Sequence, residues 1–288
     1  MLQEINIGEE PLDLDATFTS GQIFRWHKID GWWQGWIGHS KVAFKKTDNL
    51  IQFRSVPTLN PDVIRNFFSL QVDHKSINES LPDDRFTKYL VKKYSGIRIL
   101  QQDTWECAMA YIISSSLNIN VINKILDRIS LLFTGDSRGR LPRPHELQMI
   151  KRPLNNFLGK KWDYLSILSK QIVEGTFKFE LLQALTYESA WRRLVIEEPH
   201  FKGIGPKVAD CILLFSTNKY SSFPIDRWVF RGLKKYYSSL VEESGVSSEH
   251  LTVTQYKKLS DLARQHFGKF SGFLQEYLFV HLRNTNLF

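Results

Sequence analysis

Cysteine is scarce in this sequence: Cys107 and Cys211 are the only two among 288 residues. Two thiols cannot build a disulfide scaffold or ligate a four-cysteine zinc or iron–sulfur centre, so no iron–sulfur cofactor is expected. Long apolar runs are missing as well. No stretch approaches the ~20 uninterrupted apolar residues of a membrane span, so no membrane partner is expected. The opening MLQEINIGEE is acidic and has no apolar centre, which does not fit a signal peptide. Internal repeats and low-complexity tracts are absent. These absences point to an intracellular enzyme or binding protein, which is expected to work as a monomer.

What is present fits a globular protein. Charged residues make up 24% and hydrophobic residues 42%, and 288 residues suffice for one large or two modest domains with a real core. Lysine and arginine outnumber aspartate and glutamate by 38 to 30, for a formal charge of +8 and a pI near 9.3. A basic surplus suits an anionic partner such as DNA or RNA, because each Lys or Arg placed near a phosphate releases counterions.

Two kinds of periodicity follow one another along the chain. FTSGQIFRW (18–26), GWWQGWIGHS (31–40), KVAFKKT (41–47) and LIQFRSV (50–56) read as strands punctuated by Gly, Asp and Asn turns. From PDVIRNFFSL (61–70) onward the period becomes helical. ILQQDTWECAMAYIISSSL, INVINKILDRISLLF, YLSILSKQIVEG and YESAWRRLVIEE carry the apolar spacing of amphipathic helices. Residues 135–146, with Gly and Pro at both ends, form the clearest loop. The expected fold is α+β: an antiparallel sheet domain with flanking helices over 1–97, then a mostly α-helical domain over 98–288.

The most informative stretch runs from Pro199 to Leu233. Gly203 and Gly205 flank Ile204, and an apolar helix pattern begins at Lys207. Glycines two apart allow positive φ in a tight hairpin. They also leave the first amides of the next helix open to a phosphate, where the helix dipole favours an anion. The same hairpin offers the carbonyls of Pro199, Phe201 and Ile204 to a monovalent cation. Nineteen residues further on, Phe223-Pro224-Ile225 leads into Asp226. One helix and one loop between Lys207 and Asp226 can fold both into one cleft. Taken singly, Lys207 reads as a solvated first-turn residue and Asp226 as the N-cap of a helix at 227–237.

The whole stretch resembles the helix-hairpin-helix DNA glycosylases, in which a lysine follows the hairpin and an aspartate follows a V/I-P-V/I turn. GPKVADCI (205–212) is similar to the signature of the 8-oxoguanine DNA glycosylases among them. FTSGQIFRW resembles their S-G-Q-x-F-R-W segment, QQDTWECAMAYIISSS (101–116) their R-Q-D-x-x-E-C helix start, and LQEYLFVHLR (274–283) their terminal helix. The four pieces are colinear and span residues 18 to 283.

The resemblance implies a base-excision repair enzyme that acts on double-stranded DNA containing 8-oxoguanine, with both glycosylase and abasic-site lyase activity. Lys207 would be the nucleophile and Asp226 its acidic partner. Such an enzyme extrudes its target base into a pocket. Phe279 would stack on one side of that base, Cys211 would pack on the other, and Gln275 would bond its Watson–Crick edge. Lys207, Cys211 and Phe215 recur at i, i+4 and i+8 of one helix, and Gln275 and Phe279 at i and i+4 of another. Phe215 also reads as plain helix core. The Gly21 carbonyl would accept N7–H of 8-oxoguanine and repel the N7 lone pair of guanine. As a bare residue Gly21 marks a bend in the chain.

The chain departs from the family where the base opposite the lesion is read. The S-S-N-N-N run becomes Ser114-Ser115-Ser116-Leu117-Asn118, so Ser116 stands for an asparagine, and Val121 replaces an arginine. The wedge that enters the DNA falls on Lys160 or Trp162, with Lys161 or Asp163 near a second lost arginine. Trp228 stands where a phosphate-binding histidine is usual. Two other readings stay open: a glycosylase for a different damaged base, for which Lys207 would be superfluous in the alkylbase branch, and a DNA-binding module without catalysis.

Overall fold

The computed structural model describes residues 2–115, 117–150, 152, 157–197 and 201–285. The N-terminal part is a five-stranded antiparallel sheet: β1 Gln3–Asn6, β2 His27–Ile29, β3 Trp32–Ile37, β4 Ser40–Thr47 and β5 Leu50–Val56, in the order β1-β5-β4-β3-β2. Helix α1 (Leu14–Thr19) lies between β1 and β2. Period-two alternation sets the buried face. Val42 and Phe44 on β4 and Ile51 and Phe53 on β5 are at most 1% exposed, and Phe44 pairs directly with Phe53. This face packs against Phe18, Trp26, Phe67 and Phe68, and Phe18 stacks on Trp26 with ring centroids 4.5 Å apart.

Two details of the sheet differ from the strand pattern expected above. The segment 18–26 is not a strand. Its first residues end α1, which Asp13 caps by accepting the Ala16 N–H. Gly21 (φ +111°) and Arg25 (φ +65°) then break any extended run. The segment is pinned by side chains instead of a ladder: Gln22 Nε2 donates to the Arg98 carbonyl and its Oε1 accepts the Leu100 N–H, while Asn123 Oδ1 accepts the Arg25 N–H. Its apolar residues, which gave the strand signal, serve as the layer above the sheet. Conversely, Gln3–Asn6 forms an edge strand whose Ile5 reaches the core. That strand was hidden by the acidic residues around it.

The rest is helical: α2 Pro61–Phe67, α3 His74–Ser80, α4 Arg85–Tyr94, α5 Thr104–Ser114, α6 Ile119–Thr134, α7 Pro144–Met149, α8 Lys160–Val173, α9 Glu180–Ala184, α10 Tyr187–Val195, α11 Pro206–Ser216, α12 Arg227–Tyr236, α13 Ser238–Ser244, α14 Val253–Phe267 and α15 Ser271–Thr285. Side-chain caps start many of them, including Asp103 on α5, Asn118 on α6 and Thr252 on α14. A second apolar cluster joins the helices from α3 onward around α5, α11 and α15, and it already includes Ile77 of α3, Leu81 just after it, and Leu90 and Tyr94 of α4. Helix α11 is buried at every position from Val208 to Ser216, so its start is fixed by packing on all sides. No helix among the described residues is long and apolar enough to cross a membrane.

Candidate active site

The hairpin before α11 sets the position of Lys207. The Phe201 carbonyl accepts the Ile204 N–H at 2.9 Å, closing a tight turn. Gly203 lies inside it at φ +89°, and a Cβ there would stand 2.7 Å from the Tyr164 ring, so both conformation and space demand glycine. Gly205 does not share that conformation. It is the extended N-cap of α11, with φ −85°, and a Cβ on it would meet nothing within 4 Å. Only Gly203 therefore takes positive φ. The bare Gly205 leaves the helix start open to an outside group, and a helix N-terminus favours an anion there. Ile204 is buried, Phe201 likewise, and Pro199 falls outside the described residues.

Pro206 occupies the first turn of α11, where its missing N–H costs nothing. Lys207 follows, partly buried, with Nζ 4.7 Å from the centre of the Tyr111 ring. Asp226 is the N-cap of α12 and accepts the Val229 N–H at 2.8 Å. Burial raises its carboxyl above the usual 3.8, while Lys207 and the amides of Val229 and Trp228 hold it down. Burial likewise pushes the Cys211 thiol up to about 12, again opposed by Lys207. The fold thus brings Lys207, Asp226 and Cys211 into one poorly solvated region. Being an N-cap does not compete with a role in that region, since the cap fixes the carboxylate beside the lysine.

The bend at 20–22 and helix α15 form the other wall. A Cβ on Gly21 would lie 3.0 Å from Phe279 Cε1, 3.1 Å from Arg283 Nη1 and 3.3 Å from Ile119 Cδ1. The flanking carbonyls are occupied. Arg283 donates to Ser20 O at 2.7 Å, and Tyr111 Oη and Gln102 Nε2 both donate to Gln22 O, at 3.0 and 2.8 Å. Among the described residues no donor reaches the Gly21 carbonyl between them. On α15, Gln275 is 4% exposed and its Oε1 has no hydrogen-bond partner. A buried amide oxygen without a donor is costly unless a ligand supplies one. Phe279 is partly exposed, whereas Cys211 is covered. Phe215 is 3% exposed and stacks on Tyr111 at 5.7 Å, in the core position.

Three contributors to this region escaped the motif reading. Tyr111 lies under Lys207, and Arg283 clamps the Gly21 bend. Glu276, 2% exposed, carries a carboxyl that burial lifts to about 7, with Ser20 and Arg283 working against the rise. Tyr111 and Glu276 sit on helices whose apolar composition gave a plain core signal.

The residues expected to face the opposite base are scattered or engaged. Ser116 lies outside the described residues. Asn118 is exposed and caps α6 by accepting the Val121 N–H at 3.0 Å. Lys161 Nζ donates to the carbonyls of Ile113 and Ser115, and Asp163 pairs with Arg152 at 3.0 Å. Trp162 is 6% exposed and belongs to the helical core, while Lys160, at the start of α8, is exposed. Insertion of Trp162 into DNA would require unpacking α8. Among the described residues no group of three His, Cys, Asp or Glu is placed to hold a metal ion.

The family model for the N-terminal domain of 8-oxoguanine DNA glycosylase matches residues 4–108. The N-glycosylase/DNA lyase OGG1 of Arabidopsis thaliana is 27% identical over 93% of this chain and 77% of its own length. Two solved structures share the fold at 28% identity. The structure of MBOgg1 with a low-affinity DNA ligand has a TM-score of 0.84 and covers 99% of this chain and 96% of its own. The 8-oxoguanine glycosylase/lyase of Clostridium acetobutylicum, in complex with DNA containing cytosine opposite 8-oxoguanine, has a TM-score of 0.80 and covers 100% and 99%. With a lysine at the hairpin–helix junction, an aspartate capping the next helix and a glycine bend facing α15, the chain is similar over nearly its whole length to 8-oxoguanine DNA glycosylases, and residues 4–108 match that family's N-terminal domain.

Proposed function

We propose that this protein excises 8-oxoguanine from double-stranded DNA in base-excision repair and then nicks the strand at the resulting abasic site. The observation that carries the reading is the placement of Lys207 and Asp226 at the starts of two helices in one buried region, next to the Gly21 bend and the unpartnered Gln275 Oε1. In the reaction, the neutral Lys207 amine attacks C1′ with its lone pair. The C1′–N9 bond breaks, and the departing base takes the electron pair and the proton that the nitrogen loses. Asp226 stabilises the positive character that develops on the sugar. Opening of the sugar ring leaves a Schiff base. That acidifies the 2′ proton, and its removal expels the 3′ phosphate by cleavage of the C3′–O bond.

Recognition divides between the two walls. The Gly21 carbonyl would accept the lesion's N7–H, Gln275 would meet the Watson–Crick edge and Phe279 would stack on the base, with Cys211 behind it. The open start of α11 would take a backbone phosphate. The Ile204 carbonyl, and the Phe201 carbonyl beside its bond from the Ile204 N–H, would be offered to a monovalent cation at the same hairpin, with no further cofactor required. We place the enzyme inside the cell, acting as a monomer where its DNA is. Incubation with a duplex carrying one 8-oxoguanine tests the activity. Release of the base, strand nicking and a borohydride-trapped covalent adduct are expected, and absence of the adduct would remove Lys207 from the mechanism.

A further inference from the structure

Asp210 lies one turn beyond Lys207 on α11, fully buried, and takes no part in the chemistry above. Its two carboxylate oxygens collect hydroxyls from two other helices. Oδ1 accepts from Tyr187 on α10 at 2.7 Å, and Oδ2 accepts from Tyr256 on α14 at 2.6 Å, with Ser260 at 3.5 Å. Tyr256 Oη in turn accepts the N–H of Ile225, the residue before Asp226, at 3.0 Å. The same loop is held a second time at the Ser221 carbonyl, by Arg264 at 3.0 Å and Ser271 at 2.9 Å. Arg264 covers the Tyr187 ring at 3.5 Å, so the aromatic partner of Asp210 is itself fixed.

We infer that Asp210 and Tyr256 are positioning residues, a relay that ties the loop carrying Asp226 to the helix carrying Lys207 and so sets the distance between nucleophile and carboxylate. Without the relay, the connection 217–226 is still anchored at Asn218, Tyr220 and Ser221, but the stretch from there to Asp226 loses its Ile225 anchor. The direction of the bonds suits this role. An acceptor-only carboxylate forces both tyrosine hydroxyls to donate inward, which leaves the Tyr256 oxygen free to accept from the Ile225 backbone. Burial raises Asp210 to about 6, against the hydrogen bonds from Tyr187 and Tyr256 that lower it, so the acceptor form prevails at neutral pH.

The inference rests on the proposed excision activity, and its test separates the two. Tyr256→Phe keeps the ring and removes both bonds of the hydroxyl. Single-turnover excision of 8-oxoguanine should fall at least about tenfold, the loss expected when a charge-coupled hydrogen bond is removed. Affinity for duplex containing a tetrahydrofuran abasic analogue, and borohydride trapping on preformed abasic DNA, should stay near wild type, because the open aldehyde needs Lys207 but no oxocarbenium stabilisation. A purely structural role would lower trapping and excision together. Asp210→Asn, which keeps the volume but replaces one acceptor with a donor, should show the same selective loss and serves where Tyr256→Phe folds poorly. In an Asp226→Asn background, Tyr256→Phe should add no further loss, since it acts through Asp226. Unchanged excision, or additive losses in the double variant, would overturn the relay while wild-type excision upholds the activity. A wild-type protein that does not excise 8-oxoguanine would overturn the activity and the relay with it.

Discussion

Replacing Gly21 with alanine tests the recognition wall more directly than any change to the reactive groups. The residue sits at φ +111°, outside the region that L side chains adopt comfortably, and holding a non-glycine residue there costs about 1–3 kcal/mol. The new methyl would also press on Phe279, Arg283 and Ile119 at 3.0–3.3 Å. Two of those contacts bear on the proposed function: Phe279 is the proposed stacking surface, and Arg283 holds the Ser20 carbonyl. The bend can relieve the strain only by rotating the peptide whose carbonyl would read the lesion. If the whole cost falls on the transition state, single-turnover excision slows by about 5- to 150-fold. If part of it falls on folding, Tm drops by about 2 °C per kcal/mol. The assay is excision from an 8-oxoguanine duplex beside borohydride trapping on preformed abasic DNA, with Tm by calorimetry. Excision should suffer and trapping should not, because Lys207 is untouched. Wild-type excision together with wild-type Tm would refute the argument that this bend requires glycine and presents the carbonyl.

Lys207→Gln should abolish excision and nicking while DNA affinity stays nearly intact; substantial turnover would require another nucleophile. Asp226→Asn should slow excision by orders of magnitude with a smaller effect on binding, because its charge acts only as the sugar becomes cationic. Glu276→Gln should stabilise the fold near neutral pH. The wild-type carboxyl ionises at its ordinary 4.5 when unfolded but near 7 when folded, so the folded state loses stability as pH rises from 4.5 to 7 and keeps that penalty above. The gain is at most roughly 3 kcal/mol and should vanish below pH 4.5, as measured by Tm against pH. Excision should depend only weakly on the base opposite 8-oxoguanine, since Lys161 and Asp163 are engaged within the protein and Val121 has no donor. A cytosine preference of ~100-fold or more, about 2.7 kcal/mol, across four duplexes differing at that base would contradict this.

Most of the helical part was legible from the sequence, because apolar residues at helical spacing, interrupted by capping residues and glycines, are a local signal. Lys207 and Asp226 stood out for a different reason: the stretch that holds both resembles the helix-hairpin-helix DNA glycosylases, whereas each residue taken singly reads as an ordinary helix-start residue. The Gly21 segment was misread as a strand because Phe18, Ile23, Phe24 and Trp26 give the same apolar density whether they line a sheet or cap one. What decides between them is Gln22 bonding to Arg98 and Leu100, about eighty positions away. Trp162 carried the same ambiguity, since an aromatic near a helix start is equally a wedge or a core residue until its surroundings are known.

The sequence by itself determined the sheet-then-helix order and the hairpin, which depend on neighbours within a few turns of chain, and its resemblance singled out Lys207 and Asp226 as candidates. Only the tertiary structure decided that Gly203 and not Gly205 takes positive φ in the hairpin, that Arg283 and Tyr111 close around the Gly21 bend, and that Asp210 reaches the Asp226 loop through Tyr256. The last two of these are bonds between residues 31 to 263 positions apart. Local pattern cannot encode them, because hydrogen bonds of one to three atoms' reach are set by how whole helices pack, and packing is a property of the folded chain.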